Sequence, residues 1–97
     1  MNDLRLIRQS HEKEVVQFCQ KLLKIQSVNP PGDELAAAEY ISGVLAKAGL
    51  EVELLKHSPA RASVISRRRG SWKVPALLFN GHIDTVPVGA ETWIHDP

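Results

Sequence analysis

The stretch Ala76 Leu77 Leu78 Phe79 is apolar at every position and opens directly into Asn80 Gly81 His82 Ile83 Asp84. An apolar run of strand length has no polar side to turn toward water, so it reads as a central strand covered by helices on both faces. That narrows the fold to a layered α/β arrangement. It also asks for more covering structure than a chain of 97 residues supplies, and exposed apolar surface is expected if the chain stands alone.

The rest of the chain offers two helices and a hairpin. From Glu12 to about Ile25, Val15, Phe18, Cys19 and Leu22 recur at helical spacing, with Ser10 as the expected N-cap. Ser27 Val28 Asn29 Pro30 Pro31 Gly32 cannot continue that helix, because the prolines remove donors and favour extended backbone before them. Asp33 and Glu34 place negative charge at the start of a second helix carrying Ile41, Val44, Leu45 and Ala48, and Gly49 is the expected left-handed cap. Leu50, Val52 and Leu54 alternate with Glu51 and Glu53 as a half-buried strand to about Lys56. Ser58 and Pro59 break it, and Ala62 to Ser66 reads as a second strand, antiparallel to the first, before the polar turn Arg67 Arg68 Arg69 Gly70 Ser71. The chain stops at Asp96 and Pro97, directly after a loop and without a closing element, so residues 1–97 are expected to be a cut piece rather than a finished domain.

Composition removes several classes of function. A net charge of +1 gives no field of one sign to draw nucleic acid or an anionic membrane. The start, Met1 Asn2 Asp3 Leu4 Arg5, lacks the apolar run of a signal peptide, and no segment reaches the length of a membrane span. The single cysteine, Cys19, cannot form an internal disulfide and is expected to pack as a small hydrophobe. A soluble, cytoplasmic protein is expected, its binding confined to a site.

That site begins at the end of the apolar run. Open α/β sheets place ligands beyond the carboxyl ends of their strands, where His82 and Asp84 fall. Two positions apart on extended backbone, they leave the same face. A neutral imidazole binds zinc through one nitrogen, while a carboxylate at the other fixes its tautomer and raises its basicity. Gly81 is expected to let the chain turn sharply before the histidine, and Pro87 to stiffen the exit. By spacing alone, a lone histidine at a strand end such as His82 is more often a hydrogen-bonded structural residue than a ligand; one histidine is not a metal site.

Asn80 to Pro87, with its apolar strand, resembles the first metal motif of the acetylornithine deacetylase, succinyl-diaminopimelate desuccinylase, aminoacylase and carboxypeptidase G family of zinc hydrolases. The loop Ser27 to Gly32 resembles that family's connection between its first two helices, and Trp93 with Asp96 and Pro97 resembles its loop after the motif. The resemblance implies the beginning of a three-layer α/β/α catalytic domain: two helices, a hairpin and a central strand. It implies His82 as a ligand to one of two zinc ions, with cobalt as a substitute, and Asp84 as the catalytic-site aspartate that positions this histidine. The activity implied is hydrolysis of N-acyl amino acids or small peptides by a zinc-activated water, in a parent that can be a homodimer. The remaining metal ligands and the glutamate general base of that family have no counterpart here, so the chain alone is expected to be inactive. The alternative is an inactive remnant or interaction module with weak metal affinity at most.

Other features have plainer readings. Arg67, Arg68 and Arg69 beside Trp72 form a solvated basic tip rather than a nucleic-acid contact. His11 and His57 have no spacing that makes them ligands, His95 lies in the loop after the motif where it could approach the site but is not expected to be a ligand, and Trp93 and Asp96 are expected to fix that loop.

Overall fold

The computed structural model describes residues 3–71 and 73–97. Met1, Asn2 and Trp72, the last expected beside the arginine turn, lie outside the described residues. The order is α1 (Leu4–Leu23), α2 (Leu35–Lys47), β1 (Glu51–Lys56) and β2 (Ala62–Arg67), an α/β arrangement.

Helix α1 starts earlier than its apolar periodicity suggests. Asp3 is the cap, its carboxylate accepting from the Arg5 amide at 2.9 Å. Ser10, expected as the cap, lies inside the helix, and its hydroxyl donates to the Ile7 carbonyl at 2.8 Å. Capping decides a helix end, and residues 4–9 need no apolar stripe to follow Asp3 into the helix. No residue of α1 is buried, so Cys19 is exposed, contrary to the expectation that it packs. The helix meets α2 where Phe18 stacks on Tyr40, ring centroids 5.7 Å apart.

Helix α2 ends as the sequence reads. Gly49 takes φ 83°, its amide donates to the Ala46 carbonyl at 2.9 Å, and the Leu50 amide donates to the Leu45 carbonyl at 3.2 Å. These are the paired bonds of a Schellman cap. Leu50 then leads into β1, which pairs antiparallel with β2 from Glu51 opposite Arg67 to Lys56 opposite Ala62. Val52 and Leu54 are half-buried while Glu51 and Glu53 face water, as the alternation requires. The core between α2 and the hairpin consists of Ala37, Ala38 and Ala62, small side chains that let helix and sheet approach closely.

The expected central strand does not form. Residues 76–79 make no ladder with the hairpin, and Leu77, Leu78 and Phe79 are 79, 85 and 86% exposed. A strand exists through its neighbours' hydrogen bonds, and the only described pairing near this segment is a parallel bridge between Val28 and Thr85. The expectation of exposed apolar surface is met at these same residues.

Candidate metal site

The bridge between Val28 and Thr85 builds the site. The Asn29 amide donates to the Thr85 carbonyl at 2.8 Å, and the Thr85 amide donates to the buried Ser27 carbonyl at 2.9 Å. The proline loop is thereby stitched to the backbone just past Asp84. Within the loop, the Gly32 amide donates to the Val28 carbonyl at 3.0 Å, closing a turn in which Gly32 takes φ 88°.

His82 and Asp84 come together as their spacing suggests. The His82 Nδ1 lies 3.0 Å from Asp84 Oδ1 and 2.9 Å from the Asp84 carbonyl oxygen. Both partners only accept, so Nδ1 carries the proton and Nε2 keeps its lone pair in the neutral ring. The histidine side chain is 85% exposed and that of Asp84 31%, which leaves Nε2 open. Gly81 has no positive φ, and a Cβ there would meet open space; the sharp turn expected of it is absent, and the left-handed glycine lies further on at Gly89.

The second carboxylate oxygen, Asp84 Oδ2, accepts from Asn29 Nδ2 at 2.9 Å. This bond, followed by that from His82, holds the Asp84 carboxyl below the ordinary carboxylate range. Nearby, Arg61 Nε donates to Glu34 Oε1 at 2.9 Å, and that hydrogen bond with its charge raises the arginine further. Glu34 is buried, and its other oxygen has no hydrogen-bond partner. Glu34, Arg61, His82 and Asp84 all line one cleft of about 850 Å³ between β2 and residues 77–84.

Asn29, read only as part of the proline loop, Glu34, read only as charge at the start of α2, and Arg61 were not expected at the site, because no local spacing ties them to the motif. Among the described residues, the other histidines do not join it in a metal-binding group. His11 faces Glu14 at 3.1 Å, His57 lies 2.8 Å from the Ser63 hydroxyl, and His95 is exposed. Trp93 fixes its loop by donating to the Val88 carbonyl at 3.2 Å. At the basic tip, Arg69 pairs with Glu51 at 3.2 Å, and Arg67 and Arg68 are exposed.

One neutral imidazole with its far nitrogen anchored has the donor chemistry of a transition-metal ligand. Among the described residues, however, no three of His, Cys, Asp or Glu gather as a metal-binding group, and no helix is long and apolar enough to cross a membrane.

Comparison with known proteins gives this dyad a setting. The chain is 35% identical over 83 residues to a succinyl-diaminopimelate desuccinylase of Wolbachia pipientis from Culex pipiens, covering 84% of this chain and 20% of the relative. It is 39% identical over 84 residues to the enzyme of that name from Gluconobacter oxydans, covering 84% of this chain and 21% of the relative. With aminoacylase-1 of Homo sapiens the identity is 29% over 87 residues, 89% of this chain and 21% of the relative. By sequence, these desuccinylases and aminoacylase-1 are what the chain is similar to over most of its own length. It spans about a fifth of the length of the curated relatives it matches. No family model and no solved structure matches it.

Proposed function

We propose that the chain is the N-terminal portion of a metal-dependent hydrolase of amide bonds, contributing the first zinc ligand and the residue that orients it. The observation that carries this is the His82 ring, anchored at Nδ1 by Asp84 and open at Nε2, in a chain whose relatives are named desuccinylase and aminoacylase. Within the complete protein the described segment would open a three-layer α/β/α domain, with the apolar residues 76–79 as a central strand once neighbours cover them.

The residues present suit one position of a metal's coordination shell. His82 would hold the ion through Nε2; the other ligands would come from outside the described residues. Zinc, when bound, supplies a Lewis acid that activates water and polarises the acyl carbonyl. The chain's own part is to keep a neutral imidazole in one tautomer, with its ring plane set by Asp84. Small N-acyl amino acids or peptides are the proposed substrate class.

The test measures zinc content and hydrolysis of N-acetyl and N-succinyl amino acids by the longest natural form of the protein and by the 97-residue chain. The expected result is activity in the longer form alone, lost together with zinc in His82→Ala. Asp84→Ala should retain the fold and lose most turnover. Full activity in either variant overturns the assignment.

A further inference from the structure

The Asp84 carboxylate is shared between two donors, one on each oxygen. Oδ1 takes the proton of His82 Nδ1, and Oδ2 takes one from Asn29 Nδ2 at 2.9 Å. Because a carboxylate only accepts, the amide nitrogen of Asn29 must face it. Asn29 itself is held by the main chain: its amide donates to the Thr85 carbonyl, and Thr85 donates back to Ser27. The residue that grips the carboxylate therefore belongs to a loop docked on the backbone beside that same carboxylate.

The His82 ring, 85% exposed, has little packing to fix it. Its orientation depends on the two oxygens facing Nδ1, of which only the carbonyl belongs to the main chain. The carboxylate turns about a broad terminal torsion unless something holds its other oxygen. Asn29 is the side chain that does so.

We propose that Asn29 is a positioning residue for the His82 imidazole, holding the Asp84 carboxylate in the orientation that keeps the ring in its Nδ1–H form with the Nε2 lone pair open. Its meaning for catalysis rests on the reading of His82 as a zinc ligand, whereas the tautomer itself does not.

Long-range proton–nitrogen NMR of the 97-residue chain, at about pH 8 where an ordinary imidazole is neutral, reads the tautomer directly, and zinc titration of the same signals reads affinity. Wild type should show His82 as Nδ1–H. Asn29→Asp keeps the shape but accepts only and adds like charge; Asn29→Ala removes the group. Both should shift His82 toward the Nε2–H form and raise its zinc midpoint roughly tenfold or more, leaving the responses of His11, His57 and His95 unchanged. Asn29→Ser, which keeps a donor, should lie between them and wild type. An Nε2–H ring in wild type, or a wild-type tautomer in Asn29→Asp, overturns the inference. A tautomer that follows position 29 in a protein whose His82 never responds to zinc upholds the positioning role and removes the metal reading instead.

Discussion

Arg61 lies directly over Gly32 while its Nε donates to Glu34, so that a Cβ built on the glycine would sit 2.8 Å from that same nitrogen. One arginine thus ties the first residue of β2's approach to the loop that carries Asn29 and to the start of α2. The Glu34 side chain is 8% exposed and that of Arg61 43%, so the carboxylate depends on the arginine more than the reverse. Arg61→Ala should leave a buried charge without compensation and lower the thermal midpoint by several degrees. Glu34→Gln should cost less, since it removes the charge that needs a partner. Equal midpoints for Arg61→Ala and wild type, by circular dichroism melting, would show the pair to be idle.

Three glycines give a graded series. Gly32→Ala meets both a positive φ and the arginine, and should destabilise by about 1–3 kcal/mol. Gly49→Ala meets the positive φ alone, with nothing within 4 Å of the added carbon, and should cost roughly 1–2 kcal/mol. Gly43 lies inside α2 with open space around it, so Gly43→Ala should stabilise by about 0.5–1 kcal/mol. Urea denaturation of the three variants orders them, and a stabilising Gly32→Ala would refute the packing described.

The lowered Asp84 carboxyl sets a direction for pH dependence. A group whose value falls on folding contributes stability above its unfolded value and loses that contribution as pH falls through the folded one. Wild type should therefore exceed Asp84→Asn in stability at neutral pH, with the difference constant above about pH 5 and shrinking as acid protonates the carboxylate near and below pH 4. A difference that grows on acidification contradicts the hydrogen bonds from Asn29 and His82.

The uncovered residues 77–79 should make the chain adhesive. Leu78→Lys with Phe79→Lys should reduce dye binding and self-association in sedimentation, with little change in helix content, because neither side chain is part of the core. Unchanged association would place the sticky surface elsewhere.

The elements that depend on local signals were legible in the sequence: Gly49 ends α2 through a backbone need only glycine meets cheaply, and the alternation from Leu50 to Leu54 fixes which face of β1 packs. His82 and Asp84 were legible for the same reason, being two positions apart. The start of α1 was not, because Asp3 lies outside the apolar pattern that marked the helix. The strand at residues 76–79 was overread, since apolar content measures a demand for neighbours and not their presence. Asn29, Glu34 and Arg61 escaped because their partners lie far along the chain.

Asn29 and Asp84 are 55 residues apart, and all of α2 and the whole hairpin lie between them. Closing a flexible loop of that length costs roughly 3.5 kcal/mol of chain entropy before any constant, whereas α2, β1 and β2 are joined by short connections. The helix–hairpin unit should therefore assemble early and the contact between Asn29 and Asp84 later, which makes a correctly protonated His82 a reporter that the loop from residue 29 to residue 84 has closed.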